Sequence, residues 1–443
     1  MIFSSSLFIL FFCTFLIFLK FFSNFQKLII ILFSIFFYGF WEPKFVILIF
    51  YLSAITYYCS KFKTPNFISF TLIVFPLIYF KYSGFIIESF GFNNLKNFQY
   101  DSELPLAISF ITFTALAYII DVKKKVFDYK INFFSFFEFI IYFPQLIAGP
   151  ILRANELVPS LAKKIELNKS QFKLGMILFL IGFVKKVYLA DNIALIIDPI
   201  FLQPNEANQA DLLKGFLLFP LQIYFDFSGY IDMALGISSI LGIELPINFN
   251  KPYLTKNLTE FWRNWHITLS RWFKDYLYIP LGGSKKGSFI LFLSLILTMS
   301  LAGLWHGANY NFIIWGTLNG FILFLEKKFM FLKIKNNFLS IFFNCFIVFN
   351  LWLIFRIQDL NNLLNYFYLF YSNIINFFNL NDLMLFAIVV FAVYLQKFDN
   401  LNFIKNNYTK IKMIYFFPLF FVIIILGLSF SSGTSEKFIY FNF

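Results

Sequence analysis

Apolar runs separated by short polar connectors occupy almost the whole chain. Candidate runs begin near residues 3, 28, 45, 67, 104, 133, 173, 212, 289, 308, 338, 383 and 412. A helix needs about 20 mostly apolar residues to cross the hydrocarbon layer. Two runs, 28–41 and 45–58 on either side of Glu42-Pro43, are too short to cross alone and read as broken or re-entrant pieces. The pattern therefore predicts an all-α integral membrane protein with about 11 true crossings, in one polytopic domain over 1–443. The first run, from about Ile2 to Phe22, is followed by further apolar runs and by no small-residue cleavage site, so it reads as a membrane helix rather than a signal peptide. No connector is long enough for a separate folded domain, and no internal repeat is visible.

One stretch breaks this pattern. Residues 245–288 are aromatic, basic and punctuated by proline, too polar to cross a bilayer. Within them, steps of three and four put Trp262, Trp265, His266, Leu269, Trp272, Phe273 and Tyr276 on one face of a helix over 261–276. Such a piece is expected to lie in the membrane interface or dip into it.

Composition sharpens the membrane reading. Charged residues are only 13% of the chain, about half the share of a soluble domain, so most of the surface must face lipid. The net charge of +13 would suit nucleic acid, but the lysines lie in connectors, where a cytoplasmic bias is expected. On that rule Lys61 to Lys63, Lys123 to Lys130 and 153–173 are assigned to the cytoplasm, and no nucleic-acid partner is expected. These loops could attract an anionic cofactor or anionic membrane lipids. Cys13, Cys59 and Cys345 stand apart in apolar runs and are expected to be small buried hydrophobes, not disulfides or zinc ligands. The abundance of Phe, Ile, Lys and Asn fits an AT-rich genome and carries no functional reading.

Chemistry narrows to two histidines, His266 and His306. Imidazole exchanges a proton readily near pH 7. His306 lies in LAGLWHGAN, where Gly303 and Gly307 are four apart, and Gly316 and Gly320 repeat the spacing. Small residues so spaced let helices approach closely. A polar residue at such a contact is a functional candidate, or else a hydrogen-bonded core histidine. His266 sits on the aromatic face, as a partner of His306 or as part of an interfacial aromatic belt. Asp226 and Asp232 are expected to pair with Arg263, Arg271 or a histidine and fix a helix register; Asp121 and Asp191 stand at helix ends. GGSKKGS over 282–288 lacks the lysine after the final glycine of a phosphate loop and reads as a turn, with Lys285 and Lys286 solvated or touching phosphates. The chain has neither a GxSxG nor a HExxH motif, so no catalytic metal is expected.

These motifs carry a resemblance. FWRNWHITLSRWFKDYLYIPLGG from Phe261 and LAGLWHGANYNFIIWGTLNG from Leu301 are similar to the membrane-bound O-acyltransferase (MBOAT) family, in its branch of alginate and peptidoglycan O-acetyltransferases, related to the teichoic acid D-alanyl transfer protein. LPLAISFITFTALAYIIDV from Leu104, YFPQLIAGPILR from Tyr142 and VKKVYLADN from Val184 extend it over most of 30–325. The resemblance implies a ring of transmembrane helices with re-entrant segments around a central funnel. It makes His306 the catalytic histidine and His266 the second polar position. Trp305, Asn309, Arg263, Lys285 and Lys286 are expected to hold the donor. That donor is expected to be cytosolic acetyl-CoA, with an extracytoplasmic partner completing transfer to a cell-envelope polysaccharide, peptidoglycan being favoured and alginate or another exopolysaccharide possible. A multi-pass protein of the cell inner membrane is implied. The tail KFIYFNF within 436–443 resembles the branch's FxYFxF ending, whose tyrosine is a candidate acyl relay; here it is Tyr440. Where the branch often reads LHG, this chain has Leu318-Asn319-Gly320. The alternative function is a transporter or channel for acyl groups or glycans, which broken helices with intramembrane charges would also suit.

Overall fold

The computed structural model describes residues 1–92, 103–128, 130–329, 336–372 and 379–430. Apolar runs have become helices, and the described residues contain no strand. Asparagine does much of the punctuation. Asn132, Asn257, Asn309, Asn336, Asn379 and Asn400 each precede a helix and accept one of its first amide protons, the use for which a short side chain with a carbonyl is suited.

Among the described residues four helices are long and apolar enough to cross a membrane: Pro43–Lys61, Asn66–Ser89, Ser288–His306 and Asn337–Arg356. A fifth arises if Ser6–Phe21 and Ser23–Gly39, bent by 107° at their junction, make one span. The expectation for 45–58 is thus corrected. Pro43 opens that helix in its first turn, where a missing amide proton costs nothing, and the added residues bring it to 19. The 28–41 run remains the short arm of a bent pair. Several other helices carry a proline inside them. Among the described residues three π-helical turns occur, at Ile78–Tyr82 within the Asn66–Ser89 span, at Val184–Ala190 and at Lys274–Tyr278, and each carries lysine.

Contacts group the chain into two compact units. The first comprises Met1–Gly182, Tyr230–Pro246 and the described residues from Phe417. Its core is a phenylalanine cluster in which Phe143 meets Phe11, Phe15 and Phe37 at ring separations of 5.4, 5.2 and 5.6 Å. Two of the basic connectors meet here. Lys123 Nζ donates to the Thr64 carbonyl and, at 2.7 Å, to Asn66 Oδ1, which fits their assignment to one side. The cysteine expectation holds in part: Cys59 is buried, but Cys13 lies on the outward face of its helix and is exposed.

The second unit comprises Phe183–Gly229 and Ile247–Phe416. Its tightest element is the hairpin of Ser288–His306 and Tyr310–Lys328. A Cβ on Gly303 would stand 2.0 Å from the Phe312 carbonyl oxygen, and one on Gly316 2.1 Å from that of Met299. The glycine spacing therefore does what it predicts: the backbones touch. Gly303→Ala is expected to cost about 1–3 kcal/mol, because neither backbone can retreat. A thermal unfolding series in detergent, with Ala302→Gly as control, would show it as a clear fall in midpoint.

The sequence points Asp226 toward an arginine or a histidine; its ion pair is instead with Lys186, which also meets Asp191 at 2.8 Å. Asp191 is accordingly more than a helix end. The neighbouring Lys185 pairs with Asp399 at 2.6 Å, and Tyr224 donates to the same carboxylate. Both lysines belong to the π-helical Val184–Ala190 turn, and both are buried. Charges at that depth require close partners, and here they have them.

Candidate functional site

His306 is the last residue of the Ser288–His306 helix. It is buried, with 5% of its surface exposed. Trp305, Trp315 and Phe355 meet its ring edge-on at 5.0, 5.4 and 5.2 Å. Aromatic rings fix its orientation, and it also lines a cavity of about 350 Å³.

That cavity follows the hairpin. Thr298, Ala302 and His306 line it from successive turns of one helix, and Leu323 and Lys327 from the other. At 1.5 Å per residue, Lys327 lies roughly 18 Å along its helix from Trp315, the ring beside His306. The opposite wall comes from Thr259, Trp262 and Arg263 and from the segment after His266. Four cations line the cavity, Arg263, Arg271, Lys274 and Lys327, and no carboxylate does. Lys327 Nζ donates to the Tyr278 hydroxyl at 2.8 Å and lies 4.9 Å above that ring. Such a space is apolar along its length and positive, and it attracts an anion bearing an apolar arm.

His266 interrupts the helix expected over 261–276. The chain forms two short helices, Leu258–Asn264 and Ile267–Phe273, and His266 joins them with left-handed backbone angles, φ 41° and ψ 55°. Such angles in a residue other than glycine carry strain of about 1–3 kcal/mol and are held only by well-fixed surroundings. Here those are Asn248 and Phe227. Thr268 gives Asn248 Oδ1 both its backbone proton, at 3.0 Å, and its hydroxyl, at 2.9 Å. A backbone N–H can only donate, so that amide oxygen is an acceptor, and His266 Nδ1, 3.2 Å from it, is the third donor. The Phe227 ring stands edge-on to the imidazole at 4.7 Å.

His266 lies outside the four spanning helices, and burial pushes its pKa from the usual 6.5 down to about 3. The folded protein therefore holds a neutral imidazole with its proton on Nδ1. The sign follows: above pH 6.5 both states are neutral and the fold keeps its full stability. As pH falls from 6.5 toward about 3, only the unfolded chain takes up the proton, and stability is lost. His266→Asn is expected to flatten this decline. Unfolding midpoints in detergent at pH 7.5 and 5.0 measure it; equal slopes for the two proteins would refute it.

The other expected residues divide. Arg263 lines the same cavity as His306. Trp305 does not line it; its indole is the spacer between the histidines, 5.0 Å from His306 and 6.0 Å from His266. Asn309 is the cap of the Tyr310–Lys328 helix, accepting from the Asn311 amide at 3.3 Å. Lys285 and Lys286 stand in an exposed turn away from the cavity lining. Tyr440 and the 436–443 tail lie outside the described residues. Among the described residues no three His, Cys, Asp or Glu side chains gather as a metal site.

Three residues escape sequence reasoning. Asn248 anchors His266 from 18 positions away. Glu326 accepts both amides that open the Leu258–Asn264 helix, Leu258 N at 2.7 Å and Thr259 N at 3.0 Å, and so ties this wall to the hairpin. Asn319 accepts from Trp262 Nε1 at 3.1 Å; its departure from the LHG pattern was the one available signal.

Fold and site together define a helical membrane protein with one histidine on a cationic, largely apolar cavity and a second buried behind a tryptophan. Residues 94–367 match the MBOAT, membrane-bound O-acyltransferase family. The chain belongs to that family. It is 37% identical over 348 residues to the "Probable alginate O-acetylase AlgI" of Pseudomonas aeruginosa, covering 74% of this chain and 66% of that one. It is 37% identical over 342 residues to the "Peptidoglycan O-acetyltransferase" of Helicobacter pylori, covering 69% and 65%. With the "Teichoic acid D-alanyltransferase" of Streptococcus thermophilus it shares 29% over 274 residues, covering 58% and 63%. The chain thus spans less than two thirds of the length of these curated relatives.

Proposed function

We propose that this protein is a membrane O-acetyltransferase that draws acetyl groups from cytosolic acetyl-CoA for a cell-envelope polysaccharide. The observation that carries this is the placement of His306 on a cavity with a cationic lining and no acid. An acyl thioester of coenzyme A has a matching shape: a reactive end, a long uncharged arm and a phosphate-bearing head. The roughly 18 Å between Trp315 and Lys327 suits that arm.

In the proposed reaction, His306 accepts the proton of an attacking hydroxyl. The oxygen adds to the thioester carbonyl carbon, the carbon–sulfur bond breaks, and the imidazolium returns its proton to the departing thiolate. General base catalysis of this kind is worth about 10²–10⁴-fold. His266, neutral and protonated on Nδ1, orients Trp305 and through it His306, rather than giving a proton to the oxyanion. Arg263, Lys274 and Lys327 bind the phosphates; Lys285 and Lys286 serve only as a solvated rim. Tyr440 is the proposed relay hydroxyl, from which an extracytoplasmic partner would take the acetyl group. Similarity to both alginate and peptidoglycan acetylating proteins supports a polysaccharide acceptor, and peptidoglycan is favoured. The wider architecture proposed is one ring of about 11 crossings around a funnel in the inner membrane.

Mass spectrometry of the purified protein after incubation with isotope-labelled acetyl-CoA tests the reading. Release of coenzyme A with label on Tyr440 is expected. An intact donor and unlabelled protein, in the presence of the partner as well, would contradict it.

A further inference from the structure

We infer that Trp262, locked in place by Asn319, gauges the length of the acyl group and restricts the site to short ones. This rests on the acyl-transfer reading above and adds what decides which acyl group is taken.

The cavity of about 350 Å³ also takes the donor's arm, so the space open to the acyl group is set by what stands beside His306. Trp262 lines the same cavity. It is one ring away from the imidazole: Trp315 stands 5.6 Å from Trp262 at 74° and 5.4 Å from His306 at 88°. Met299 and Leu295, which also line the cavity from the His306 helix, are flexible chains that can turn aside. Trp262 cannot. Its Nε1 donates to Asn319 Oδ1 at 3.1 Å, and Asn319 is oriented by its own donation to the Trp315 carbonyl at 2.8 Å. Asn319 is 1% exposed, so water cannot replace the indole as donor. A rotated Trp262 would leave a dry amide oxygen unpaired, which keeps the wall rigid. A fixed aromatic wall excludes extra methylenes where a flexible one would yield, and each methylene so excluded is worth roughly 10–200-fold in discrimination.

The test uses the full chain in membranes, with acetyl-, propionyl-, butyryl- and hexanoyl-CoA as donors and released thiol as the readout. The wild-type chain should prefer acetyl-CoA. Trp262→Ala should raise the butyryl-to-acetyl ratio by about 10-fold or more. Trp262→Phe, which still fills the wall, should keep the wild-type order. Asn319→Leu, which frees the indole, should shift the ratio the same way by a smaller factor. Folding of each variant is read from gel-filtration elution in detergent. A folded, active Trp262→Ala with the wild-type length profile overturns the gauge; if that variant does not fold, an unchanged profile in Asn319→Leu overturns it equally. A wild-type chain that releases thiol from none of the donors contradicts the acyl-transfer reading itself, an outcome distinct from turnover with an unaltered profile.

Discussion

Replacing His306 by glutamine is expected to lower acyl transfer by roughly 10²–10⁴-fold while the chain stays folded. Glutamine keeps much of the volume that Trp305, Trp315 and Phe355 enclose, but it cannot take up a proton near neutral pH. Alanine should lose as much activity and some stability too, since it leaves space among rigid rings. The pair separates chemistry from packing. Thiol release from acetyl-CoA in membranes gives the first quantity, and the unfolding midpoint in detergent gives the second. Substantial turnover by a folded glutamine variant would remove His306 from the reaction.

The second large effect concerns stability. Lys186→Met takes from Asp226 and Asp191 the cation that both meet. Asp226 is 2% exposed and cannot turn to water. Breaking a buried pair from one side costs about 3–5 kcal/mol, enough to unfold a marginal membrane protein. Asp226→Asn should cost less, because Lys186 keeps Asp191. Lys186→Met combined with Asp226→Leu should recover part of the loss, since no buried charge is then stranded beside the new side chains. The order of midpoints, with Lys186→Met lowest, checks the account. Damage should reach the site as well, because Phe227, next to Asp226, is the ring that meets His266 at 4.7 Å.

What the sequence reveals and hides follows from the range of each interaction. The close hairpin before and after His306 was legible because glycines four apart act through local helix geometry. The membrane class was legible because it depends on summed composition. The break at His266 was not. A single left-handed residue leaves the three-and-four spacing on either side intact, so periodicity alone reads one helix where there are two. Partners across the fold were also hidden: Lys186 and Asp226 are 40 positions apart, and Glu326 and Leu258 are 68 apart. Asn309 shows a local role that periodicity does not reveal: directly before an apolar run, its side chain caps the helix that follows. Bends were hidden too: hydropathy alone does not show that Ser6–Phe21 and Ser23–Gly39 are the arms of one pair bent by 107°.

On the proposed reading, the cavity lined by His306 receives an acyl thioester, reacting end first. A structure of the protein with a non-hydrolysable acetyl thioether of coenzyme A tests it most directly. The account predicts the acetyl carbon against the His306 ring, with Trp262 beside it and the phosphates among Arg263, Lys274 and Lys327. An analogue bound with its head group at His306, or bound elsewhere while this cavity stays empty, would contradict it.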